Sequence, residues 1–159
     1  YNPVTEPVGF FRCSNRDTGD HLYTTDWREV ASLSLGGFMY EWMQCAVYRV
    51  PHPGTLALHR YYDRVHHDHF YTTNFGELGS GGGDWQYEGV AAYVFAAEQT
   101  GTVPLHRYLS KDGCHHFYTT DFSELGSGNA NWTYEGRQCW VYPKPRPHIS
   151  KPSKGPGAF

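Results

Sequence analysis

HHDHFYTT, residues 66–73, sets three histidines and an aspartate at the start of a short aromatic run. Read alone, it suggests a metal site, because imidazole and carboxylate both bind zinc. It does not stand alone. DHLYTTD occupies residues 20–26, DHFYTTN 68–74 and HHFYTTD 115–121, with His21, His69 and His116 spaced by 48 and 47 residues. A second block follows each copy: MYEWMQCAVY from Met39, QYEGVAAYVF from Gln86 and TYEGRQCWVY from Thr133. A third block precedes each copy: GFFRC, then LALHRY, then VPLHRY. Three blocks that keep order and spacing define an internal repeat.

Residues 1–143 are therefore expected to form one domain of three repeats, 8–50, 54–98 and 101–143, with 144–159 as a Pro- and Lys-rich tail. Pro51, Pro53 and Gly54 mark the first junction, and Gly101 and Pro104 the second. Breakers belong there, since proline lacks a ladder donor and glycine weakens strands. In each repeat LHRYY and HFYTT read as strands around a turn, and Glu-Leu-Gly as a helical turn after the caps Asn74 and Asp121. WQYEG and AAYVF read as two further strands broken at Gly89, with Gly136 in the same part. Leu22, Phe70 and Phe117 share one alternating face and the His and Tyr residues the other, so both faces look covered. Twelve short strands predict an all-β fold: a pseudo-threefold β-trefoil, with a three-bladed propeller- or prism-like arrangement as the alternative.

Composition narrows the class. The chain has 159 residues, 17% aromatic and only 18% charged, which suits a β domain rather than a disordered chain. A net charge of -3 provides no field for nucleic acid. No apolar run is long enough to span a membrane. The chain begins at Tyr1 without a basic-apolar leader, so any signal peptide is expected to have been removed. Four cysteines, none in a CxxC pair, fit two disulfides in an oxidising, extracellular setting. Cys13–Cys45 and Cys114–Cys139 are the expected bridges, with pairing across repeats left open. Asn131-Trp132-Thr133 is a glycosylation acceptor pattern compatible with secretion.

The site residues follow from the repeats. Only the third histidine of HHDHFYTT recurs, so His66 and His67 read as turn residues and no metal or other cofactor is expected. His21 reads as a structural link between turn and strand. Arg12, Arg60 and Arg107 recur with Glu41, Glu88 and Glu135; a charge on a strand face needs a partner, so these read as structural ion pairs. The chain carries no GxSxG, HExxH or phosphate loop, and no carboxylate pair stands apart from the repeats. It therefore reads as a binding protein, not an enzyme. Trp and Tyr offer a sugar both stacking area and a polar handle. Trp85 and Trp132 follow Gly-rich loops, with Asp84, Glu77, Asn131 and Glu124 nearby as hydroxyl acceptors. With His69 and Tyr71 in repeat two, and His116 and Tyr118 in repeat three, they form two candidate sugar sites. The alternative is that both tryptophans pack inward.

These motifs resemble a repeat family of unknown function found in secreted fungal and bacterial proteins. Its hallmark is P-L-[HY]-R-[YF], G-D-H-F-Y-T-T, an E-L turn, then Y-x-x-E-G and an aromatic strand. Repeats two and three match through LHRYY, DHFYTTNFGEL and WQYEGVAAYVF, and through VPLHRY, HHFYTTDFSEL and WTYEGRQCWVY. Repeat one departs at Phe11, Cys13 and Trp42. The resemblance implies extracellular life, often beside hydrolases or cell-surface modules. The expected function is a secreted, lectin-like protein whose partners are glycans or glycoproteins. The alternatives are a secreted inhibitor or defence protein, or a structural matrix or adhesion component.

Overall fold

Each repeat is organised around its first strand. In the computed structural model, which describes residues 6–144, these central strands are β1 (Val8–Asn15), β4 (Thr55–Asp63) and β8 (Val103–Ser110). A turn returns each to a short partner: β2 (His21–Thr24), β5 (Asp68–Thr72) or β9 (His116–Thr119). On its other side each pairs antiparallel with a long return strand: β3 (Phe38–Val47), β7 (Trp85–Phe95) or β10 (Trp132–Val141). The two-residue β6 (Gly81–Gly82) pairs with the start of β7. Between short and return strands the caps Asp26, Asn74 and Asp121 each accept a backbone N–H two residues on, at 2.9 Å. Only in repeat one does this grow into a helix, α1 (Trp27–Leu33).

The protein is predominantly β, with two open sheets ordered β2-β1-β3 and β5-β4-β7-β10-β8-β9. Neither closes on itself, so the described residues do not form the closed barrel of a trefoil. The larger sheet is two three-stranded units, with β6 added beside β7, joined by a single pair, Trp140 with Phe95. Equivalent single pairs, Tyr48 with Tyr93 and Ala46 with Tyr142, tie the first unit to both others. Strand count also corrects the expectation. Gly89 and Gly136, with φ of 100° and 102°, do not break the return strand; they sit in it next to bulges. A bulge inserts one residue and bends a strand without ending it.

The units meet on a triangle of tyrosines. Tyr23, Tyr71 and Tyr118 are fully buried, with ring centroids 5.3–5.5 Å apart and near-perpendicular planes. The Tyr71 hydroxyl accepts the Tyr23 N–H at 2.6 Å and donates to the Tyr23 carbonyl at 2.8 Å. Tyr118 does the same to Tyr71, and Tyr23 to Tyr118, which completes the cycle. Among the described residues the short strands pair with no strand on that edge, so these hydroxyls satisfy backbone groups that burial would otherwise strand. Beyond the triangle the return strands alternate Cys45 and Val47, Ala92 and Val94, and Cys139 and Val141 into one shared core.

The expected disulfides are absent: Cys13, Cys45, Cys114 and Cys139 are all free thiols. Register explains this. Cys45 lies opposite Phe10 and Cys13 opposite Tyr40, so Cys13 and Cys45 are offset by three strand positions, about 10 Å. Cys139 lies opposite Leu105, whereas Cys114 sits beyond the end of β8. Both separations exceed the roughly 7 Å that a disulfide tolerates. With the bridges goes the compositional argument for an oxidising compartment. The tail from residue 145 lies outside the described residues. Among the described residues, no helix is long and apolar enough to cross a membrane.

Candidate functional site

HHDHFYTT itself disperses. His66 Nδ1 bonds Asp63 at 2.9 Å, and His67 Nδ1 bonds the Tyr62 hydroxyl at 2.9 Å. Asp68 accepts both the His116 backbone N–H, at 2.8 Å, and its Nδ1, at 2.6 Å. One repeat earlier, Asp20 holds His69 in the same way, at 2.8 and 2.6 Å. In repeats one and two, the aspartate before the motif histidine thus clamps the histidine of the next repeat. Burial opposes a charge on His69, but its hydrogen bonds to the Asp20 and Glu88 carboxylates outweigh it and push its pKa up to about 9. Among the described residues, no group of three or more His, Cys, Asp or Glu is arranged to hold a metal ion.

The arginines also link repeats. Within its own repeat each meets the glutamate expected from sequence: Arg12 with Glu41 at 2.6 Å, Arg60 with Glu88 at 2.8 Å and Arg107 with Glu135 at 2.9 Å. These glutamates are the extra residues of the bulges, which turn them back onto the arginine-bearing face. Each arginine takes a second carboxylate from the preceding repeat: Arg12 with Glu124 at 3.2 Å, Arg60 with Glu29 at 2.8 Å and Arg107 with Glu77 at 3.5 Å. Buried Thr72 and Thr119 donate to Glu77 and Glu124 and fix them from behind. Although burial opposes the Arg107 charge, the field of Tyr118, Glu135 and Glu77 raises its pKa, so the guanidinium stays charged.

At the junction of repeats two and three this arrangement opens into a cleft of about 230 Å³. Arg107 forms its floor, with the Phe70 ring 4.9 Å from the guanidinium. Glu77 and Glu135 flank the cation, and His116 faces in with Nε2 3.7 Å from Glu135. Trp85, 5.7 Å from Phe70, and Leu78 make the apolar wall. An aromatic wall beside convergent, charge-fixed polar groups is the usual anatomy of a small-ligand site.

Of the sequence candidates, Trp85, Glu77 and His116 therefore come together, but across two repeats rather than within one. Trp132 and Glu124 belong to the corresponding third–first junction, where Trp132 lies tilted against Phe117 at 5.7 Å and Glu124 holds Arg12. His69 belongs to the first–second junction, its Nε2 3.3 Å from Glu88. Tyr71 and Tyr118 are corrected outright: both lie in the buried triangle, out of reach of any ligand. Asp84 and Asn131 are exposed and do not line the cleft; their carbonyls accept the Arg64 and Lys111 N–H groups.

Sequence reasoning missed a second aromatic feature. Trp27, Phe75 and Phe122 are 53%, 46% and 46% exposed at matching positions. Phe75 packs on His59 and Tyr87, Phe122 on His106 and Tyr134, and Trp27 on Phe11 and Tyr40. The available signal was the aromatic that follows each Thr-Thr-Asp/Asn turn.

Neither a curated protein nor a solved structure matches the chain. One family model matches residues 9–142, which span all three repeats. The chain belongs to that family, described as a domain of unknown function, DUF5648.

Proposed function

We propose that the protein binds carbohydrate in the cleft between repeats two and three, outside the cell and without chemical turnover of the ligand. The observation that carries this reading is one concave site that sets Trp85 and Phe70 beside Arg107, Glu77, Glu135 and His116. A pyranose has an apolar C–H face and a rim of hydroxyls. Aromatic rings take the face, while carboxylates accept from hydroxyls and a guanidinium donates to them. Two carboxylates to one guanidinium leave the cleft with excess negative charge, which favours neutral or amino sugars over acidic ones. Non-catalytic binding is supported by the bonding of Glu77 and Glu135 to Arg107, which leaves neither as a free proton donor. The tyrosine cycle and the three single-pair joins support a pseudo-threefold, three-bladed arrangement over the trefoil. Exposed Asn131 in its acceptor pattern supports secretion.

A glycan array probed with the intact protein and with Trp85→Ala tests the reading. Hits that share one terminal sugar and vanish in the variant, whose circular dichroism stays native, are expected. A blank array at high protein concentration overturns it.

A further inference from the structure

The three junctions are built alike, yet their arginines are not equally covered. In the second–third cleft, Arg107 has Phe70 on one side and the cleft on the other. At the third–first junction, Phe117 takes the matching place, 4.7 Å from the Arg12 guanidinium. The Trp42 ring covers that guanidinium as well, at 4.3 Å. The Arg12 side chain is 3% exposed, against 13% for Arg107 and 15% for Arg60. Position 42 follows the bulge glutamate Glu41; Gly89 and Gly136 stand there in the other repeats. Glycine leaves the guanidinium uncovered, and tryptophan puts a flat ring on it. The Lys144 ammonium, 5.9 Å from the same indole, adds a second cation that holds the ring in place.

We propose that Trp42 shuts the third–first cleft from within, and that removing the indole opens it. Trp42 then acts as a built-in occupant: it shows that the space above the guanidinium accepts a flat face stacked on the cation. The proposal rests on the carbohydrate reading only for the identity of the natural ligand; closure itself does not depend on it. One consequence concerns valency. A covered cleft withholds one site from the roughly 10²- to 10⁴-fold avidity gain available to a multivalent binder. A chain with Trp42→Gly gains one linked cleft and restores that site.

The test uses indole as a flat probe and the arginine Nε–H resonances of the whole chain as readout. In the wild type, indole is expected to shift Arg107 but not Arg12, and the Arg12 Nε–H to exchange with water more slowly than that of Arg107. In Trp42→Gly, indole is expected to shift both arginines and the two exchange rates to converge. Trp42→Ala serves as a second variant if glycine loosens β3. Closure is overturned if indole shifts Arg12 in the wild type, or if Arg12 stays silent and slow in both variants. It is equally overturned if Arg12 and Arg107 exchange alike in the wild type, a comparison that needs no variant. A blank glycan array beside a positive indole result removes the sugar and keeps the closed cleft.

Discussion

His115→Asp should stabilise the protein. At two junctions an aspartate clamps the next repeat's histidine through its backbone N–H and its Nδ1. At the third–first junction the clamping position holds His115, whose ring lies against Gly19 in the turn before His21. His21 Nδ1 and His115 Nε2 are both buried without a hydrogen-bond partner. Two orphaned polar atoms cost about 1–3 kcal/mol each, and two hydrogen bonds to a carboxylate return about 1.5–3 kcal/mol each. Against this stands the burial of one new carboxylate, which costs several kcal/mol. The neighbouring Arg12 cation and a protonated His21 lessen that cost. The net gain is about 2 kcal/mol, or a Tm increase of about 4–8 °C for a chain of this size.

The pH dependence of the same variant has a definite sign. In the wild type, burial lowers the His21 pKa, with Glu41 and Asp20 acting to raise it and Arg12 and His115 to lower it. The unfolded state then binds the proton more readily, so this junction loses stability as pH falls through about 6.5. In His115→Asp the new carboxylate partner raises the folded pKa of His21, as Asp20 does for His69. The gain is then full below about 6.5 and fades as pH rises through the new folded pKa. Differential scanning fluorimetry from pH 5 to 10 reads both effects. A variant Tm equal to or below the wild-type value at pH 6 would refute the argument that the orphaned nitrogens mark a lost clamp.

Other outcomes follow from the same contacts. His69, with a folded pKa near 9, contributes stability on the order of 3 kcal/mol that is present below about pH 6.5 and lost as pH climbs through 9. Asp20→Asn should flatten that alkaline loss in denaturant titrations; an unchanged slope assigns it elsewhere. Tyr71→Phe removes the hydroxyl that serves both the N–H and the carbonyl of Tyr23, and should cost about 2–5 kcal/mol in chemical denaturation. A loss below about 1 kcal/mol means that the triangle is ordinary packing. Reduction should leave both Tm and electrophoretic mobility unchanged, with four thiols titrating after denaturation; fewer than four indicates a bridge.

Much of the local structure was legible in the chain. HLYT, DHFYT and HFYT declare short strands by their alternation, and the strands lie there, with Leu22, Phe70 and Phe117 buried on one face and the tyrosines on the other. Arg12 could be matched to Glu41, and its counterparts likewise, because both members recur within one repeat. Gly89 misled: glycine in a strand signals either an end or a bulge, and only pairing with β4 distinguishes them. The cysteines misled because matching positions in two repeats say nothing about offset along a strand.

The amino-acid sequence by itself determined three copies of one β unit and the residues that each copy carries. Only the tertiary structure decided how the copies face one another. Asp20 reaches His69 across 49 residues, Tyr71 reaches Tyr23 across 48, and Arg12 reaches Glu124 across 112. Periodicity reports which face of a strand a side chain occupies, because that follows from the backbone of its own segment. Which foreign side chain meets that face depends on how the units close around the tyrosine triangle, and the same closure leaves Arg107 in an open cleft and Arg12 beneath Trp42.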